Sequence, residues 1–304
     1  MHSRSSRAII SAGYRLYTAN FRKLLRRSWP MAIAYAIATG AFVSHYVTEM
    51  PRLAVLAIAS KGNSAALDGL IGSESVMSLV FALLMVLTTA LLFSTGFSAL
   101  KEHLDTNAIQ PPKRWYGSID CSVLWQTLKG LLWSGVAICF IGVVFGMATV
   151  WCMGYLGRIA GLTTALLFVC IAIIVLLPLN IVLVKYVLTG KQHFVEVTRQ
   201  VYPLGIRHWG LVFIVAFVVL IATTLLMLVV QLPANILCLA NLQSQMGALM
   251  EDPLGMPEYI GRLNFAVFAL MGFLQAYIHL STLFPFYYLY GSIEQQEKER
   301  KEMK

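Results

Sequence analysis

Charged residues are scarce in this 304-residue chain, and long hydrophobic runs take their place. Asp, Glu, Lys and Arg make up 12% of the residues, whereas 58% are hydrophobic and the mean hydropathy is +0.72. Soluble domains carry about 25% charged residues, and the longest polar stretches here, about 30 residues, are too short for an independent core. These absences exclude a water-soluble globular protein and predict an integral membrane protein.

Motifs for metal, redox or hydrolytic chemistry are also missing. The five cysteines form no CxxC pair, and no His/Cys spacing is typical of a metal site. HExxH and GxSxG do not occur. Lys191 follows Gly190, but the upstream glycine and the Ser/Thr of a phosphate-binding loop are lacking. We therefore expect no cofactor, no metal ion and no enzymatic activity.

Six hydrophobic stretches are each long enough to cross a bilayer. At a rise of about 1.5 Å per residue, about 18 apolar residues span most of a hydrocarbon core about 30 Å thick. The stretches cover residues 30–47, 76–100, 130–155, 159–184, 209–232 and 264–290. None of them contains Asp, Glu, Lys or Arg. This absence argues against an ion-coupled transporter, whose relays use ionisable groups inside the membrane.

The positive charges predict the orientation of these spans. Segments that would share one side with both termini hold 19 of the 23 Lys and Arg residues, and the other side holds 4. The positive-inside rule places both termini in the cytoplasm, so we predict a multi-pass protein of a bacterial inner membrane. The net charge of +9 follows helix ends and forms no patch for nucleic acid. The partners expected are anionic lipids and a membrane or cytoplasmic protein.

Amphipathic segments precede the odd-numbered spans. Residues 9–28 carry an apolar stripe, whose members are Ile10, Tyr14, Tyr17, Phe21, Leu24 and Leu25. The basic residues predicted to meet the membrane surface are Arg15, Arg22, Lys23, Arg26 and Arg27. Tyr202 and Trp209 repeat the spacing of Tyr14 and Phe21, and residues 125–133 form the counterpart before the third span. Either the chain contains three repeated units, or cytoplasmic loops near lipid simply collect Arg, Trp and Tyr.

The predicted fold is therefore an all-α polytopic membrane bundle. It has six transmembrane helices and amphipathic interfacial helices on the cytoplasmic side, with three helical-hairpin units if the amphipathic segments mark a repeat. We divide it into a basic amphipathic helix (1–28), a transmembrane domain (29–292) and a charged cytoplasmic tail (293–304).

Residues 13–25, which run from Gly13 through Arg22 into the first span, resemble the start of the membrane domain found with some glycerophosphoryl diester phosphodiesterases. Leu188-Thr189-Gly190 is similar to the middle of that domain, which related six-span bacterial proteins share. The resemblance implies the six-span architecture and a link to glycerophospholipid biology. Catalysis in those enzymes belongs to an attached soluble barrel, so the resemblance implies no catalytic residue here.

A few uncharged polar residues remain inside the spans. Asn180 follows Pro178 in the fourth span, and Gln275 and His279 share a face of the sixth. They either line a polar pocket for a substrate or lipid, or form interhelical hydrogen bonds. The favoured function is a non-enzymatic accessory, scaffold or lipid-interacting protein. A transporter for a lipid-like or neutral solute is the first alternative. An intramembrane enzyme built on Ser98 and His279 is the second, disfavoured by a depth difference of roughly 13 Å.

Overall fold

Helices account for almost all of the chain in the computed structural model, which describes residues 5–59, 64–111, 120–190, 193–249, 257 and 259–303. Over these residues the elements are α1 (Ser6–Ala19), α2 (Phe21–Ala59), α3 (Ser64–Thr106), α4 (Cys121–Leu156), α5 (Arg158–Leu176), α6 (Leu179–Thr189), α7 (Phe194–Arg207), α8 (Trp209–Leu249) and α9 (Ile260–Glu302). The loop cations Lys61, Lys113, Arg114 and Lys191 lie outside the described residues.

Six helical segments are long and apolar enough to cross a membrane. They are Phe21–Val47, Val76–Thr106, Cys121–Tyr155, Ile159–Thr189, Trp209–Ser244 and Ile260–Glu302. Each contains one predicted span, so the all-α polytopic bundle is confirmed. Most of the helices extend beyond the apolar stretches, because Lys, Arg and Glu are good helix formers. For this reason α9 continues through most of the charged tail to Glu302.

A close contact between α2 and α9 lies at the centre of the bundle. A Cβ added at Gly40 would lie 2.9 Å from Ala269 Cβ, and one added at Gly272 would lie 2.8 Å from Thr39 Cβ and 3.0 Å from Ala36 Cα. Small residues four apart, such as Ala36 and Gly40, allow membrane helices to approach this closely. Because lipid tails are as apolar as the side chains, this packing replaces the hydrophobic drive of a water-soluble core.

The amphipathic helix α1 packs on the protein rather than facing only lipid. Its buried residues are Ile9, Gly13 and Tyr17. A Cβ at Gly13 would lie 2.6 Å from the nitrogen of Pro285, and the Tyr17 hydroxyl donates to the Tyr277 carbonyl at 2.9 Å. Burial raises the pKa of Tyr17, so its hydroxyl remains a donor. The stripe around Ile10 and Tyr14 is only partly buried.

A break at Asn20 ends α1, whereas the sequence pattern predicted one amphipathic stretch through residue 28. The Asn20 side chain donates to the Leu16 carbonyl at 3.1 Å, and its backbone N–H bonds the carbonyls of Leu16 and Tyr17. Asparagine competes for backbone groups in this way and favours helix ends. Residues 21–28 are therefore the first turns of α2 and continue directly into the first span.

The helix α7 repeats the arrangement of α1. It ends at Arg207, His208 breaks the chain, and Trp209 begins α8. The buried residues stand at equal distances before the two breaks: Val197, Val201 and Gly205 before His208, and Ile9, Gly13 and Tyr17 before Asn20. This register agrees with the predicted equivalence of Tyr14–Phe21 and Tyr202–Trp209.

The third amphipathic segment differs from the other two. Residues 125–133 belong to the continuous helix α4, which begins after Asp120. The Asp120 carboxylate accepts from the Ser122 N–H at 3.0 Å and caps this helix. No break equivalent to Asn20 or His208 follows, so the segment is not a separate interfacial helix.

We expect opposite effects from alanine at two glycines of α9. Gly272→Ala should lower the free energy of unfolding by about 1–3 kcal/mol, because its Cβ overpacks the contact with α2. Gly261→Ala, which meets nothing within 4 Å, should instead be neutral or stabilise by about 0.5–1 kcal/mol. Thermal unfolding in detergent micelles measures both, and equal stabilisation would contradict the close contact.

Candidate functional site: two apolar grooves beside the α4–α5 hairpin

The hairpin formed by α4 and α5 packs largely on itself. Phe145 of α4 stacks on Phe168 of α5 with ring centroids 4.4 Å apart. No residue in the most apolar part of the third span is buried in the protein, and Phe140 is 69% exposed. The end of the hairpin away from the α4–α5 turn is held to the bundle, because Gly130 of α4 lies directly against Leu183 of α6. The rest of the hairpin leaves spaces on both sides.

The first space, the α3/α4 groove, has a volume of about 720 Å³. Met85, Val86 and Thr89 line it from α3, and seven residues between Leu131 and Val143 line it from α4. Thr89 is the most polar of these, and its hydroxyl already donates to the Met85 carbonyl at 2.6 Å. The groove therefore presents an apolar surface without a free hydroxyl donor.

The second space, the α5/α8 groove, has a volume of about 580 Å³. Ile173 and Asn180 line one wall, and Phe213 and Phe217 line the other. Trp209 stacks on Phe213 and Phe213 on Phe217, with centroid distances of 5.0 and 5.7 Å. Aromatic residues at every fourth position of α8 therefore stack in a row, of which Phe213 and Phe217 line the groove.

A proline break positions Asn180 in the α5/α8 groove. Pro178 has no N–H and interrupts the fourth span between α5 and α6, as predicted. Just before the break, the Val175 carbonyl accepts from the Tyr202 hydroxyl of α7 at 3.0 Å. Burial raises the pKa of Tyr202, so this donor stays protonated. Gly205 of α7 lies against Pro178, where a Cβ would be 2.8 Å from the proline Cβ.

The three predicted pocket residues lie in different surroundings. Asn180 lines the α5/α8 groove and donates to the Leu177 carbonyl at 3.2 Å. Gln275 is buried in α9, and the His279 ring packs edge-on against Tyr35 of α2 at 6.3 Å. Neither Gln275 nor His279 is among the residues that line this groove. Helical spacing identified a shared face of α9, but tertiary packing determined what that face meets.

The Ser98–His279 arrangement considered from the sequence is not formed. Ser98 is buried, and its hydroxyl has no hydrogen-bond partner in the described part of the chain. His279 contacts Tyr35 instead.

The five predicted surface cations divide into two groups. Arg15, Arg22 and Arg26 are exposed. Lys23 is exposed as well, but its ammonium donates to the Ile109 carbonyl at 2.8 Å, and Arg27 pairs with Glu102 at 2.7 Å. Side-chain exposure is 12% for Arg27 and 25% for Glu102, so this pair joins α2 to the end of α3. The sequence pattern predicted that all five residues would meet the membrane surface, because helical spacing contains no information on contacts with residues distant in the chain.

Two contacts of charged side chains, an ion-pair cluster and a cation–π pair, are absent from the predictions made from the sequence. Glu297 of α9 is 8% exposed and lies 3.2 Å from Arg207 and 3.1 Å from His208, at the break between α7 and α8. In α4, the Lys129 ammonium lies 4.9 Å from the centre of the Trp125 ring. The four-residue spacing of Trp125 and Lys129 was a readable signal, whereas the partners of Glu297 are distant in sequence.

Comparisons with known protein families, curated proteins and solved structures found no match. The resemblance to the phosphodiesterase membrane domain therefore remains a prediction from short motifs.

We expect Arg27 and Arg22 to differ in their effect on stability. Arg27→Ala should cost about 1–3 kcal/mol, between the values for exposed and buried pairs, because it leaves Glu102 without its partner. Arg22→Ala should change stability by less than about 0.5 kcal/mol. Thermal unfolding in micelles measures both, and the exchange Arg27→Glu with Glu102→Arg should recover part of the loss. Equal effects at the two arginines would contradict the structural role of Arg27.

Proposed function

We propose that this chain is a non-enzymatic, lipid-interacting protein of a bacterial inner membrane. The observation that carries the proposal is the position of the α4–α5 hairpin between two apolar grooves. Both grooves lie along helices long and apolar enough to cross the bilayer. In a membrane, such grooves are filled by acyl chains or by another protein.

The chemistry of the grooves supports acyl chains. The α3/α4 groove is lined by Leu, Val, Met, Phe, Cys and Gly, with a single threonine whose hydroxyl is satisfied. A polar solute would lose its hydrogen bonds to water on entering such a groove, at a cost of several kcal/mol per group. An acyl chain has no hydrogen bonds to lose in the groove, and it fills the space between the walls. The transporter alternative needs a shared polar lining, and Asn180 alone of the three predicted residues lines the α5/α8 groove.

The charge distribution supports an orientation with both termini in the cytoplasm. An even number of spans is expected to leave both termini on the same side, and the segments assigned to that side hold 19 of the 23 basic residues. The exposed arginines Arg15, Arg22 and Arg26 lie beside the first span, where cations meet anionic lipid.

Filling the α3/α4 groove should reduce lipid retention. Val136→Trp places an indole in the groove, whereas Ile138→Trp makes the same kind of change on α4 outside the residues that line it. Val136 and Ile138 are 60% and 52% exposed, so both variants should fold. We expect Val136→Trp to lose about one bound lipid per chain and Ile138→Trp to retain the wild-type number, because one groove is blocked. Native mass spectrometry counts the retained lipids, and an unchanged count in Val136→Trp would contradict the proposal.

Reversing the exposed arginines should disturb insertion. Arg15→Glu, Arg22→Glu and Arg26→Glu together replace three positive charges with three negative ones before the first apolar stretch, without touching the contacts of Lys23 or Arg27. We expect a larger fraction of chains with the N-terminus on the wrong side, because charges near the first span dominate orientation. A reporter fused to the N-terminus measures this fraction. Arg262→Glu is the control on the opposite side, and unchanged topology in the triple variant would contradict the orientation.

A further inference from the structure

We propose that the α3/α4 groove is a binding site for one anionic phospholipid, with an acyl chain along the groove and the acidic headgroup on Lys129. This inference rests on the proposed lipid interaction and names the class of lipid. The observation that carries this inference is a lysine next to the end of the apolar groove that lies nearest the start of α4.

Lys129 lies on the face of α4 that forms the groove. It precedes Leu132 by three residues and Val136 by seven, which are the spacings of neighbours on one helix face. From Lys129 to Val143, the last lining residue, the helix rises about 21 Å. This length exceeds one leaflet's half of a hydrocarbon core about 30 Å thick. An acyl chain in the groove therefore has its headgroup end at Lys129.

Two tryptophans place Lys129 at the depth of lipid headgroups. Trp125 and Trp133 lie four residues before and after it and are 58% and 50% exposed. Exposed tryptophans in membrane proteins concentrate at the boundary between hydrocarbon and headgroups. The Lys129 ammonium lies 4.9 Å from the centre of the Trp125 ring, so it is in cation–π contact with a residue of the same interfacial turn.

The charge of Lys129 favours an anion. Within the described residues, no Asp or Glu lies within ion-pair distance of it, whereas Lys298 pairs with Glu294 at 3.9 Å and Lys23 donates to a carbonyl. A headgroup with a net negative charge neutralises Lys129. A zwitterionic headgroup brings its own ammonium to the same place, so it gains less.

The test compares headgroups on identical chains. Full-length protein is reconstituted in nanodiscs with equal amounts of phosphatidylglycerol and phosphatidylcholine, extracted in mild detergent and examined by native mass spectrometry. We expect the wild type to retain phosphatidylglycerol over phosphatidylcholine by at least about fivefold, because one interfacial lysine supplies a preference of that size. Lys129→Gln should lower the ratio by about fivefold without changing the total lipid retained, and the exposed arginines account for any preference left in this variant. Lys129→Arg should keep it, and Lys298→Gln is the control for loss of one lysine elsewhere.

The outcomes separate this inference from the proposed function. An equal headgroup ratio in the wild type, or a ratio unaffected by Lys129→Gln, overturns the assignment to an anionic lipid. The proposed function then still stands if Val136→Trp reduces the total lipid. Absence of retained lipid in every variant overturns both. If Val136→Trp instead dissociates a dimer and leaves lipid unchanged, the groove belongs to a second copy of the chain and the inference is wrong.

Discussion

The close approach of α2 and α9 is the constraint on which the rest of the bundle depends. In lipid, apolar side chains gain little by leaving their surroundings, so helices associate through dense packing and satisfied polar groups. Gly40 and Gly272 leave no room for a Cβ at this contact. The part of α9 that follows this contact along the chain packs against α1, where Gly13 meets Pro285. One pair of tightly packed helices thus organises the elements beside it.

Breaks in the helices define the short helices α1, α6 and α7. Asn20 separates α1 from α2, and Pro178 and His208 mark the two ends of the α6–α7 pair. Tyrosine hydroxyls bond main-chain carbonyls of neighbouring helices, from Tyr17 to α9 and from Tyr202 to α5. Because unsatisfied carbonyls are costly in hydrocarbon, these bonds allow short helices to dock near the membrane. Within the described residues, no separate short helix precedes α4 as α1 precedes α2 and α7 precedes α8.

This difference between the hairpin and the rest of the bundle underlies the functional proposal. Buried residues of α1 and α7 pack these short helices on their neighbours, whereas α4 runs unbroken from Cys121 and apolar grooves remain on both sides of the hairpin. The cations follow the same division. Arg27 and Lys23 hold protein segments together, whereas Lys129 stays available beside a groove.

The sequence by itself determined the six spans, the all-α class and the break at Pro178, because span length, hydropathy and the missing N–H of proline are local properties. It also predicted the register shared by Tyr14 and Tyr202. Only the tertiary structure decided that Asn180 lines a groove apart from His279, and that Arg27 meets Glu102. Helical periodicity shows which residues share a face, but the neighbour of that face depends on packing between helices distant in sequence.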